Sequence, residues 1–248
     1  MAHGTCNVIL MALLLPASLV NADAPSAIEA AAFSRASTPG GLPQDWQAFS
    51  PAPKAKPTVY TLVRDADRMV VRADAHQSMS SLIRLLRVDL TQTPLLQWQW
   101  RVSRVVASAD MNTKAGDDYA ARLYVLFDVD STKLPWATRL KIKLAKVFYG
   151  VDVPAAALNY VWDNRHPVGT LQPNAYTDRV RMLVVESGAA HVNEWRTETR
   201  DVAADFRAAF GEAAPAVVSI AIASDTDNTG EDVTAWYGDM RFLPRVTP

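Results

Sequence analysis

The residues best suited to chemistry lie in four places along the chain. The densest is Asp225-Thr226-Asp227-Asn228-Thr229-Gly230-Glu231-Asp232, which follows an apolar run. Oxygen side chains spaced around a glycine turn can wrap a hard cation such as Ca²⁺, so Asp225 and Asp227 are candidate metal ligands. The spacing departs from the EF-hand loop, because Asn228 stands one place early and Trp236 occupies the twelfth position. The same residues suit a ligand-contacting loop, or a turn in which Asp and Asn side chains bond nearby amides. A second group is Asn159-Tyr160-Val161-Trp162-Asp163-Asn164-Arg165-His166. Trp162, Asn164 and Arg165 combine an aromatic face with planar hydrogen-bonding groups, a set that suits sugars, and Trp162 equally suits a core.

The third is Arg122, flanked by Ala, Leu and Tyr124 in an otherwise apolar strand. A charge there needs a partner or a wet cleft, and Glu186, Glu198 and Asp239 are the strand carboxylates offered to it. The fourth is Trp195 to Arg200, whose alternation puts Arg196, Glu198 and Arg200 on one face. Paired carboxylates, Glu186 with Asp225 or Glu198, could serve glycoside hydrolysis if ~5 to 10 Å apart. Three histidines lie beyond residue 22, namely His76, His166 and His191. No P-loop, dinucleotide fingerprint, zinc-ligand pair or nucleophile elbow occurs.

The elements that must hold these groups read as strands. Leu96, Trp98, Trp100 and Val102 alternate with Gln97, Gln99, Arg101 and Ser103, which predicts a strand buried on one face. Thr58–Val63 and Arg68–Ala73 form a hairpin around Asp65-Ala66-Asp67. Tyr119–Val129, apolar apart from Arg122 and Asp128, is expected to be central. Arg179–Ser187, Val217–Ala223 and Thr234–Leu243 continue the pattern. The fold class expected is an all-β antiparallel sandwich or jelly roll with two short helical insertions. One insertion is Asp201–Phe210, with an Asp cap and Gly211 after it. The other is residues 135–148, amphipathic and basic through Arg139, Lys141, Lys143 and Lys146. Such a helix can lie on an anionic membrane surface, although capping the sandwich is the simpler role.

Of the 248 residues, 49% are apolar; Lys plus Arg total 25 and Asp plus Glu 26. The near-zero net charge of −1 argues against bulk nucleic-acid binding, and the apolar share argues against disorder. Residues 1–22 carry no Lys, Arg, Asp or Glu and hold an apolar run from Val8 to Val20. That run is too short to span a bilayer, and Val20-Asn21-Ala22 suits cleavage of a signal peptide. Export to the periplasm or beyond is therefore expected. Cleavage there leaves 226 residues without a thiol, since Cys6 is the single cysteine. Residues 23–41, rich in Ala, Ser and Pro, read as a flexible leader, and 42–248 as one domain.

Six blocks together resemble an exported bacterial family known as a domain of unknown function. They are LQWQWRV (96–102), DDYAARLYVLFD (117–128), ALNYVWDNRHPVGT (157–170), TDRVRMLVVESG (177–188), RDVAADFRAAFG (200–211) and SDTDNTGEDVTAWYGDMRF (224–242). The resemblance implies export and a single domain, and carries no activity or catalytic residue. The ending TAWYGDMRF is also similar to the last strand of jelly-roll carbohydrate-binding modules. RTETR (196–200) is similar to an arginine-rich strand motif of jelly-roll alginate lyases, whose Gln/His and Tyr-rich motifs are absent here. The function expected is binding of a glycan or other polar envelope ligand without turnover. The expected ligand contacts are Arg122, Tyr124, Asn159, Trp162, Asn164, Arg165, Glu186, Asp225, Asp227 and Asn228. A glycan-active hydrolase or lyase, and a structural or partner-binding envelope protein, stand as alternatives.

Overall fold

The computed structural model describes Met1, residues 25–50, 54–130, Thr132 and residues 156–245. The predicted basic helix at 135–148 lies outside these residues. Among the described residues thirteen strands build two facing sheets. They are β1 (Ile28–Ala31), β2 (Gln47–Phe49), β3 (Val59–Asp65), β4 (Arg68–His76), β5 (Met79–Val88), β6 (Leu95–Val102), β7 (Tyr119–Phe127), β8 (Ala157–Asp163), β9 (Leu171–Asn174), β10 (Thr177–Ser187), β11 (Arg196–Asp201), β12 (Val217–Asp225) and β13 (Asp232–Leu243). The six-stranded sheet runs β11-β6-β13-β4-β3, with β1 added beside β13. The seven-stranded sheet runs β2-β5-β12-β7-β8-β10-β9. This is the jelly-roll type of sandwich. Its ladders are antiparallel except β8 with β10, which run parallel.

The predicted alternation in β6 is what joins the layers. Leu96, Trp98, Trp100 and Val102 are all fully buried, while Gln97, Gln99 and Arg101 face outward. Trp98 packs on Tyr160 of β8 at 5.2 Å, and Trp100 on Trp162 at 6.0 Å. Trp98 and Trp100 also meet edge-on at 5.4 Å. Each such aromatic pair adds ~0.5–1.5 kcal/mol beyond the area it buries. These contacts settle Trp162 as a core residue and remove it from the ligand set. Its indole N–H donates to the Gly188 carbonyl.

The hairpin β3–β4 pairs Asp65 with Arg68, as the turn residues predicted. Helix α1 (Val202–Phe210) starts where expected, with Asp201 Oδ1 accepting from the Ala204 N–H at 3.0 Å. It stops at Gly211, whose φ of 78° is open to glycine at little cost. Phe206 then drives into the sandwich against Phe127, ring centroids 4.5 Å apart. No helix among the described residues is long and apolar enough to cross a membrane.

The 23–41 leader is a correction. Ile28–Ala31 is a strand, with Ile28 opposite Phe242 on β13. Ala30, Ala31 and Phe33 are buried, and Phe33 stacks on Trp46 at 5.3 Å. Residues 40 and 41 are tied in as well, through Gly40 N–H to the Leu62 carbonyl and Leu62 N–H to the Gly41 carbonyl. Alanines supply little apolar area, so the composition reads as a loose tail. The open edge of β13 supplies the missing hydrogen-bond partners and fixes it as a strand.

Candidate functional site

Outward-facing side chains of the seven-stranded sheet form a hollow of about 190 Å³. Ala221 and Ala223 on β12 and Ala157 on β8 make its floor, because small residues leave room between larger neighbours. Phe49, Met79, Ile83, Leu126 and Val180 wall it with apolar surface, and Tyr124 and Asp225 close its polar side. Inward-facing Leu123 and Val125 of β7 lie in the core, so Arg122 and Tyr124 share the outer face with the hollow.

Behind that polar side sits Arg122, 1% exposed. Its Nε donates to Asp225 Oδ1 at 2.8 Å, and a second guanidinium nitrogen lies 2.7 Å from Asp225 Oδ2. A third nitrogen donates to the Tyr124 hydroxyl at 3.1 Å and sits 3.3 Å from Asp117 Oδ1. The guanidinium also donates to the Asp117 carbonyl and covers the Tyr119 ring at 4.3 Å. Burial works against its charge, but Asp117 and Asp225 outweigh it and hold Arg122 well above the ordinary arginine range. Burial raises the Asp225 carboxyl, which Arg122 pulls back down and Asp118 and Asp117 raise further. Burial likewise pushes the Tyr124 hydroxyl up to about 12, so it stays protonated and able to donate. The partners expected for Arg122 were Glu186, Glu198 and Asp239. The true ones are Asp225, which ends β12, and Asp117, two residues before β7, and the doublet Asp117-Asp118 just ahead of the strand was the available signal.

Asn159 lies opposite Tyr124 on β7 and Met182 on β10. It is fully buried, and among the described residues neither amide atom has a hydrogen-bond partner. An unsatisfied buried amide costs ~1–3 kcal/mol, so unused bonding capacity of this kind calls for a reason.

Asp227 and Asn228 sit on the loop after β12. Asp118, Asp225 and Asp227 each bring an oxygen within 4.8 Å of the others, the one metal-compatible set among the described residues. Asp118 is occupied by N–H donors from Asn228 (3.0 Å) and Thr229 (2.6 Å), and Asp225 by Arg122. Hard-cation chemistry is compatible with three carboxylates, but the guanidinium already supplies positive charge to one of them.

Two expected contacts are structural. Asn164 Nδ2 donates to the carbonyls of Ala107 (3.0 Å) and Ala109 (2.9 Å), and Arg165 donates to Ala109 as well. They pin the loop after β8 to the loop after β6, away from the hollow. Glu186 is also elsewhere, at the edge where the two sheets meet. There it accepts from Arg196 Nε at 2.6 Å and neighbours Glu198, which accepts from Trp100 Nε1 at 3.3 Å. Burial and the charge of Glu186 raise Glu198 to about 7. Arg196 engages Glu186 and the Trp100 indole engages Glu198, so both carboxyls at this edge already have partners.

Fold and site together define a jelly-roll sandwich with a ligand-sized hollow on the outer face of one sheet, braced by a buried arginine. The chain belongs to the family described as proteins of unknown function (DUF3047), which it matches over residues 44–241. No curated protein is similar to it in sequence. Among solved structures it is similar to the family 30 carbohydrate-binding module of a cellulosomal cellulase of Clostridium thermocellum, at 9% identity and TM-score 0.42, over 90% of this chain and 99% of that one. It is similar to the xyloglucanase domain of NopAA from Sinorhizobium fredii at 9% identity and TM-score 0.43, over 81% and 98%. A thermostable cellulase derived from Rhodothermus marinus Cel12A gives 9% and 0.42, over 87% and 100%. Likeness at this level says nothing of activity.

Proposed function

We propose that the protein binds a saccharide unit, or a compound of similar size with one apolar face and a hydroxyl edge, without turning it over. The observation that carries this reading is the hollow of about 190 Å³ with apolar walls and a polar side of Tyr124 and Asp225. Ligand pockets of this kind pair apolar walls with a few placed polar groups. The Tyr124 oxygen accepts from Arg122, which leaves its proton for a ligand oxygen. Arginine engagement of Asp225 and Glu186 supports binding over catalysis. The reading places the protein outside the cytoplasm, supported by the uncharged apolar segment at its start.

Calorimetric titration with neutral plant, algal and cell-wall oligosaccharides tests it. Wild type is expected to bind one of them, Tyr124→Phe about tenfold more weakly, and Ala223→Trp, which fills the hollow, not at all. Absence of binding across the panel, binding untouched by Ala223→Trp, or release of new reducing ends refutes the proposal.

A further inference from the structure

The outward side of the six-stranded sheet carries a different arrangement, built in rows across the strands. In one row Gln97 of β6 lies opposite Thr199 of β11 and Arg241 of β13. Its amide donates to Thr199 Oγ1 at 3.2 Å, and its carbonyl accepts from Arg241 Nε and a terminal nitrogen at 3.0 and 2.7 Å. The next row, ~6–7 Å along the strands, repeats the scheme. Gln99 donates to Thr197 Oγ1 at 3.3 Å, and its carbonyl accepts from Arg68. Arg68 comes from β4 and must cross β13 to do so. On β13, Gly238 leaves room for Gln99, since a Cβ there would stand 3.1 Å from it. In the third row Arg101 stands 5.1 Å from the Trp195 ring and 4.2 Å from the Trp236 ring, and Arg68 covers Trp195 at 4.3 Å.

Charge separates these arginines. Arg101 is paired with Asp65 at 3.0 Å and Arg72 with Asp74 at 2.8 Å. Among the described residues Arg68 and Arg241 have no carboxylate at ion-pair distance. Both forks are held in place by glutamine carbonyls, with N–H donors left over. A guanidinium fork so oriented matches a carboxylate bidentately. Beside them opens a second hollow of about 250 Å³, lined by Gln97, Gln99, Asp239 and Arg241 with Glu29 at its rim. Glu29 is neutralised by Arg35 at 2.5 and 2.6 Å. Asp239 accepts from the Ser34 N–H and hydroxyl and, among the described residues, has no cation at ion-pair distance. A pure polyanion would meet repulsion from Asp239, whereas hydroxyls would donate to it.

We infer that this face is a second binding surface, for an acidic saccharide whose carboxylates meet Arg68 and Arg241 and whose hydroxyls meet the glutamines and Asp239. Titration with oligogalacturonate, a maltooligosaccharide of equal length and an oligoglutamate tests it. Oligogalacturonate is expected to bind, more weakly at high salt, and about tenfold more weakly to Arg68→Gln or Arg241→Gln. Ala223→Trp should leave that binding unchanged, which separates this site from the hollow on the other sheet. Should Arg68→Gln fail to fold by circular dichroism, the exposed Arg241→Gln alone decides. Equal binding of the neutral oligomer or of oligoglutamate, wild-type binding by Arg241→Gln, or no binding of oligogalacturonate overturns the inference.

Discussion

Raising the pH through neutrality should weaken this fold through one carboxyl, Glu198. It sits at the edge where β11 meets β10, held by Trp100 Nε1 and close to Glu186, itself clamped by Arg196. Burial first, and the charge of Glu186 second, raise it from the usual 4.5 to about 7. Between those values the folded chain keeps a proton that the unfolded chain releases, so stability must fall as pH rises across the window. The contribution is complete below 4.5 and gone above about 7. The full rise corresponds to about 3 kcal/mol, and partial solvent exposure reduces this to on the order of 1–2 kcal/mol. Urea unfolding followed by tryptophan fluorescence at about pH 5 and pH 8 measures the difference. Glu198→Gln keeps the hydrogen bonds without titrating, and its difference from wild type subtracts every other group in the window. Equal pH dependence in wild type and Glu198→Gln, or a wild type more stable at the higher pH after that subtraction, refutes the reasoning.

Two further outcomes follow from named contacts. Arg122→Met leaves Asp117 and Asp225 buried without their cation and should cost ~3–5 kcal/mol in urea unfolding. Adding Asp225→Asn to it should recover part of that loss, and a single variant as stable as wild type contradicts the ion-pair role. Asp201→Ala removes both the cap on Ala204 and the partner of Arg245, and should cost ~1 kcal/mol with an unchanged denaturant slope. A loss below a few tenths would mean that the helix is held by Phe206 alone.

How much was legible depended on whether local pattern and tertiary setting agreed. The β6 alternation, the β3–β4 hairpin and the cap and stop of α1 were legible because each rests on residues a few positions apart. Of the expected contacts, Arg122, Tyr124, Asn159 and Asp225 are brought to one face by strands whose alternation could be read. Asn164 and Arg165 have the right chemistry for a ligand, yet their donors are consumed by carbonyls some fifty residues away. Glu186 lies just past an irregular step in the pairing of β10 with β8, and it faces Arg196 rather than Arg122.

By itself the amino-acid order determined the two-layer architecture, because the alternation of Leu96, Trp98, Trp100 and Val102 with polar residues leaves β6 one way to hide its apolar face. Only the tertiary structure decided which polar groups meet. Cross-strand neighbours are set by strand order and register, and neither the β12–β7 pairing that joins Asp225 to Arg122 nor the β1–β13 pairing that orders the Ala-rich segment leaves a trace in local sequence. Hydrogen bonds and ion pairs act over a few ångströms of space, while the chain specifies directly only the neighbours along itself.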